Sequence, residues 1–273
     1  MNKPMDIIIL AGQSNAVGYG CGEADYQLKH LDKMFLMYDD QAEDYSVDEN
    51  GNEYMAIYEP WKIKLIEAEN GYTGSLALRF ADAYIENGYL AQDRKLLIVR
   101  CAVGGTGFSK KLWGVGQLLY RRMLDLTSYA LSLNPENRVV AFLWHQGECD
   151  AFENADWTPE KRKESYYRDL RAVVEGVRNH CRTPNLPFLC GGFTDEWSKD
   201  YREACDAVVA AQKQICVDLG WAAFTDTTGL LSNNQKVGNG DTIHFCKDAV
   251  YTIGQRYFDK YRSIILSQAN LEN

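Results

Sequence analysis

Asp6-Ile7-Ile8-Ile9-Leu10-Ala11, followed at once by Gly12-Gln13-Ser14-Asn15, is the stretch on which the fold reading turns. After Asp6 the run is apolar without polar alternation, which is how a strand buried on both faces of a parallel sheet reads. Five further runs have the same character: Met34–Tyr38, Lys95–Cys101, Val139–His145, Phe188–Gly191 and Ala222–Thr225. Between them lie helical stretches. Ser75 is placed to cap Leu76–Glu86, with Gly88 just past its end. Thr158 and Pro159 form a cap and first-turn pair opening a helix toward Arg182. Gly116–Leu133, Arg202–Leu219 and Lys247–Ser267 complete the set. Strand and helix alternate along the whole chain, with no repeat, low-complexity tract or linker. The expectation is one α/β domain over residues 1–273, with helices on both faces of a parallel sheet.

The chain has 273 residues, 46% hydrophobic and 25% charged, which excludes collagen-like, disordered and disulfide-knotted classes. Twenty-nine basic against 38 acidic residues leave a formal net charge of −9. Such a field repels phosphate backbones and anionic lipid, so neither a nucleic-acid nor a membrane partner is expected. A small neutral or weakly charged ligand fits better. Ile7–Leu10 is too short for a signal core or a membrane span. The eight cysteines are scattered without a C-x-x-C pair and read as reduced, buried small hydrophobes. A cytoplasmic location is expected. Residues 39–59 carry eight acidic side chains and no Lys or Arg, with a turn signal at Asp48–Asn52 between Tyr-rich flanks. They read as an excursion or hairpin, either a solvated loop or a wall over a site at the sheet's edge.

Four blocks can carry chemistry. Ser14, directly after the first strand, stands where a nucleophile sits in an open α/β sheet, although a helix N-cap is the competing reading. The block differs from a G-x-S-x-G elbow, since Ala16 takes the last position. Near the C-terminus, Asp241-Thr242-Ile243-His244 supplies a base for a serine hydroxyl and a carboxylate three residues away to orient it. The strand ending Val99-Arg100-Cys101 runs into Ala102-Val103-Gly104-Gly105-Thr106-Gly107, whose glycines let backbone N–H groups approach a reacting oxygen. A phosphate cradle is the rival, but no Gly-Lys-Ser/Thr follows. Trp144-His145-Gln146-Gly147-Glu148 ends another strand, with Gln146 as an amide donor and Glu148 as a spare carboxylate. A metal site on His145, Glu148, Cys149 and Asp150 is not expected, because His-x-x-Glu is not a zinc spacing.

Together and in this order, GQSN, CAVGGT, WHQGE and DxxH resemble the sialate O-acetylesterase-like branch of the SGNH/GDSL hydrolases, which includes carbohydrate acetylesterases active on acetylated xylan. The resemblance runs from Ile7 to Phe245. It implies a three-layer, flavodoxin-like α/β/α sandwich and a serine esterase that needs neither metal nor cofactor. It implies a small acetylated sugar or oligosaccharide as substrate, of the acetylated xylan or sialic acid type. Residue by residue, it implies Ser14 as nucleophile and Asp241 and His244 as acid and base. The oxyanion hole would comprise Ser14, Gly105 and Gln146, the last standing where the wider superfamily has an asparagine. Glu148 is a rival acid, since the branch carries a carboxylate there too. Two alternatives remain: a catalytically weak carbohydrate-binding protein on this fold, and a phosphate- or nucleotide-binding α/β protein.

Overall fold

The computed structural model describes residues 3–40, 44–47, 53–56, 61–69 and 75–269. Its strands are β1 (Met5–Gly12), β2 (Met34–Asp39), β3 (Asp44–Val47), β4 (Glu53–Ala56), β5 (Ile63–Glu67), β6 (Lys95–Arg100), β7 (Arg138–His145), β8 (Phe188–Gly191) and β9 (Ala222–Thr225). Its helices are α1 (Ser14–Val17), α2 (Ser75–Glu86), α3 (Leu118–Ser132), α4 (Glu148–Phe152), α5 (Pro159–His180), α6 (Asp195–Ser198), α7 (Arg202–Leu219), α8 (Asn233–Val237) and α9 (Lys247–Ala269).

Seven strands form one sheet in the order β5-β2-β6-β1-β7-β8-β9. All six expected strands are present and pair in parallel. The edge strand β5, not anticipated, is antiparallel to β2. Counting only parallel strands in chain order, they lie 2-3-1-4-5-6. This doubly wound order exchanges the first and third strands of the flavodoxin arrangement. Ile7, Ile9 and Ala11 point into one apolar layer and Ile8 and Leu10 into the other, so both faces of β1 are dry. Helices α3, α5 and α7 close the first layer, and α2 and α9 close the second. The polar residue that opens β1, Asp6, is fully buried and answered by Arg94 Nε and Arg138 Nε, each at 2.7 Å, and by Tyr84 Oη at 2.8 Å.

Thr158 caps α5 as expected, its hydroxyl accepting from the Lys161 N–H. The acidic segment contains a hairpin, with β3 and β4 paired antiparallel from Asp44↔Ala56 to Val47↔Glu53. Its turn at 48–52 and the capping side chain of Ser75 lie outside the described residues. All eight cysteines are free thiols. Among the described residues no helix is long and apolar enough to cross a membrane.

This order places β1 between β6 and β7, so the segments leaving their C-terminal ends share one crevice. The turn after β1 is clamped from both sides. Gln13 N–H donates to His145 O at 3.0 Å, and Val103 N–H donates to Gly12 O at 3.1 Å. Gly12 has φ +134°, and a Cβ there would lie 2.1 Å from His145 O, so only glycine permits this approach.

Candidate active site

Ser14 is the first residue of α1 and is nearly buried. It is not the N-cap; Gln13 holds that position and makes no side-chain cap bond. The first N–H groups of a helix have no intrahelical acceptor, which leaves the Ser14 N–H available. Gly105 lies in the turn after β6 with φ +65°, and its neighbour Gly104 faces the serine. A Cβ on Gly104 would lie 3.8 Å from Ser14 Cβ. Among the described residues, neither the Ser14 nor the Gly105 N–H is spent on another protein acceptor.

His244 enters from the loop before α9. Its Nδ1 lies 2.8 Å from Asp241 Oδ2, and its own N–H donates to Asp241 Oδ1 at 3.2 Å. Asn233 Nδ2 donates to the same Oδ2 at 2.9 Å. Burial pushes the Asp241 carboxyl up, but the bonds from Asn233 and His244 outweigh it and hold the group below the ordinary carboxylate range. The first turn of α8 grips this loop, with Asn233 N–H on His244 O and Asn234 N–H on Asp241 O, both at 2.8 Å. Ser232 and Gln235 fix α8 itself through a reciprocal capping box. The Tyr19 ring meets the imidazole edge-on, centroids 5.4 Å apart.

Asn15, not singled out from the sequence, ties the His244 loop to the turn that carries Ser14. Its Oδ1 accepts from Phe245 N–H at 3.0 Å, and its Nδ2 donates to Ile243 O at 3.1 Å. These are the residues on either side of His244. The same Nδ2 donates to Glu148 Oε1 at 2.6 Å. Glu148 is fully buried, and its Oε2 has no hydrogen-bond partner among the described residues. Burial raises the Glu148 carboxyl above the ordinary range, against the bond from Asn15. Of the two carboxylates, Asp241 is the one in contact with the imidazole. The sequence signal for Asn15 was its place within GQSN, one residue after the serine.

Gln146 departs from its expected place in the oxyanion hole. Its Nε2 donates to Asp150 Oδ2 at 2.7 Å and stands 3.1 Å from both Gln13 Oε1 and Thr106 O. Two hydrogens already face three acceptors, and none is left for a substrate oxygen. The Thr106 carbonyl can only accept, which fixes the amide's orientation, and the Tyr166 hydroxyl lies 2.8 Å from the Gln146 main-chain O and 3.0 Å from its Oε1. The side chain is a brace behind the crevice. Gln13 belongs to the same brace, its Oε1 also accepting from Cys149 N–H at 3.2 Å.

The four side chains weighed as metal ligands each have a different partner. His145 Nδ1 lies 2.9 Å from Tyr257 Oη, and burial brings its imidazole down to about 4, keeping it neutral. Glu148 is bonded to Asn15, and Cys149 Sγ lies 3.7 Å from Gly105 O. Asp150 accepts from the N–H groups of Phe108 and Ser109 at 3.1 and 2.7 Å.

A family model described as carbohydrate esterase, sialic acid-specific acetylesterase, matches residues 4–263. A probable 9-O-acetyl-N-acetylneuraminic acid deacetylase of Escherichia coli (strain K12) is 24% identical over 141 residues, 44% of this chain. That match takes in 42% of the curated relative, less than half its length. The crystal structure of NanS superposes with a TM-score of 0.69 at 18% identity, covering 97% of this chain and 98% of that one. A protein from Arabidopsis thaliana gives 0.64 at 22% identity, covering 95% and 98%. A carbohydrate acetylesterase from Xanthomonas citri gives 0.61 at 14% identity, covering 95% of this chain and 56% of that one. At these identities the structural likeness is one of fold.

Proposed function

The chain belongs to the carbohydrate esterase family of sialic acid-specific acetylesterases, and from that membership we propose that it hydrolyses O-acetyl esters on a sugar through an acetyl-serine intermediate. The observation that carries this reading is the hydrogen-bonded His244–Asp241 pair, bracketed by the Asn15 bonds beside Ser14. His244 Nε2 takes the Ser14 proton as Oγ attacks the acetyl carbonyl carbon. The N–H groups of Ser14 and Gly105, which have no other acceptor among the described residues, receive the developing oxyanion. Asp241 holds Nδ1 and stabilises the imidazolium. The imidazolium then protonates the departing sugar hydroxyl. In the second half, His244 takes a proton from water as hydroxide adds to the acetyl-serine; the acyl C–Oγ bond then breaks, the imidazolium returns its proton to Ser14 Oγ, and acetate leaves.

The substrate is a small acetylated sugar or oligosaccharide, of the xylan or sialic acid type. The unpaired thiols support a reducing, cytoplasmic setting. The test is acetate release from acetylated xylo-oligosaccharides, O-acetyl sialic acids and p-nitrophenyl acetate. Ser14→Ala is expected to lower turnover by at least about 10³ while leaving the fold intact. Activity within tenfold of wild type would remove Ser14 from the mechanism.

A further inference from the structure

A cavity of about 720 Å³ lies between the α4–α5 connection and the junction of α6 with α7. This is the size of an ordinary small-molecule site. Phe152, Trp157 and Tyr201 form its aromatic surfaces. Phe152, the last residue of α4, is 57% exposed, a large apolar ring left in water. It is held edge-on to Tyr201, centroids 5.6 Å apart, and Tyr201 packs in turn on the buried Trp197 at 5.0 Å. Lys161 Nζ covers the Trp157 ring at 4.6 Å. One exposed ring beside two half-buried ones, rimmed by polar groups, has the make-up of a binding groove.

The connection carrying these rings is firmly built. Arg162, nearly buried, donates to the carbonyls of Asp150, Glu153 and Asn154. Asn154 takes the left-handed region there, φ +53°, which asparagine adopts more readily than most residues. The charge around the cavity is balanced: Arg162, Lys199 and Arg202 against Glu153, Asp200 and Glu203. Balanced charge gives no pull on a phosphate or polyanion. Ring faces beside amide and charged hydrogen-bonding groups suit the C–H faces and hydroxyls of a sugar.

One short helix, α4, joins the groove to the residues beside Ser14. Glu148, bonded to Asn15 beside Ser14, opens α4, and Phe152 closes it. The separation along the helix axis is about 6 Å. We propose that this groove receives the sugar unit next to the acetylated one, so that the substrate is an acetylated oligosaccharide rather than a free acetylated monosaccharide. The proposal rests on the esterase reading above.

The test compares matched pairs: 9-O-acetyl-N-acetylneuraminic acid, free and linked to lactose, and mono-acetylated xylose against acetylated xylotetraose. With wild type, the linked member of the accepted pair is expected to have a kcat/KM at least about tenfold higher. Phe152→Ala and Trp157→Ala abolish that advantage while leaving the free monosaccharide within about twofold. Equal turnover of linked and free forms by wild type, or an advantage untouched by both variants, overturns the proposal. Calorimetric titration of Ser14→Ala with unacetylated xylotetraose and sialyllactose gives an independent readout. Binding weakened at least about tenfold by Phe152→Ala supports the groove. Absence of binding, or binding that ignores Phe152, rejects it. Should wild type release acetate from none of the four, the esterase reading fails, and the titration alone decides the groove.

Discussion

Asn15 Nδ2 and Glu148 Oε1 meet at 2.6 Å in the protein interior, joining the residue beside Ser14 to the first residue of α4. Because the same amide also holds Ile243 O and Phe245 N–H, one side chain sets the register between the serine turn and the histidine loop. These segments lie more than two hundred residues apart in the chain, and no local turn could align them.

Removing that link has a predictable cost. Asn15→Ala leaves Ile243 O, Phe245 N–H and Glu148 without their partner, and each unsatisfied buried group costs about 1–3 kcal/mol. The expected outcome is a lower melting temperature together with a fall in kcat that exceeds any rise in KM, since base and nucleophile lose alignment. Thermal melts and steady-state kinetics on the folded variant measure both. A wild-type kcat would show that the histidine loop finds its place without Asn15.

The two carboxylates separate by what they touch. Asp241 contacts Nδ1 of the imidazole, whereas Glu148 contacts Asn15. Asp241→Asn is therefore expected to lower turnover by up to about 10⁴, as for the orienting acid of a triad. Glu148→Gln keeps a carbonyl oxygen for Asn15 and is expected to stay within about tenfold of wild type. Turnover of both folded variants on one substrate decides it. A larger loss for Glu148→Gln would move the orienting role to that residue.

Much of this was legible in the chain, for identifiable reasons. β1 announced itself because both its faces are buried, so Ile7 to Ala11 shows no polar alternation. β5 did not, because an antiparallel edge strand is half solvated, and Ile63-Lys64-Leu65-Ile66-Glu67 carries no continuous apolar run. Ser14, Gly105, Asp241 and His244 stand out in the sequence because each follows a strand end or a local spacing, and the fold brings Asp241 against His244. The bonding of Gln146 was not legible. Its amide is consumed by Gln13, Thr106 and Asp150, partners that only the folded sheet edge assembles.

That bonding yields a prediction of its own. An oxyanion donor is worth about 10²–10³ in kcat. Gln146→Met removes no free donor, but it leaves the buried Asp150 carboxylate and Gln13 Oε1 short of a partner. Stability should fall by about 1–3 kcal/mol, while kcat of the folded protein stays within about tenfold. Urea unfolding alongside kinetics separates the two effects. A loss of about 10² or more in kcat at unchanged stability would return Gln146 to the oxyanion hole.

Glu148 also leaves a signature in the pH dependence of stability. Burial raises its carboxyl in the folded state above the ordinary value of about 4.3. The folded protein thus binds this proton more tightly than the unfolded chain does. The resulting stability is fully present below the unfolded value and is lost as pH rises through the folded one. Glu148→Gln has no such proton, while every other titrating group is shared with wild type. The stability of the variant relative to wild type should therefore increase as pH rises from about 4 to about 8. Paired urea midpoints across that range measure the difference directly. A difference that stays flat with pH would mean that Glu148 titrates alike in the folded and unfolded states. One that decreases with pH would mean that the bond from Asn15 outweighs burial and stabilises the ionised form.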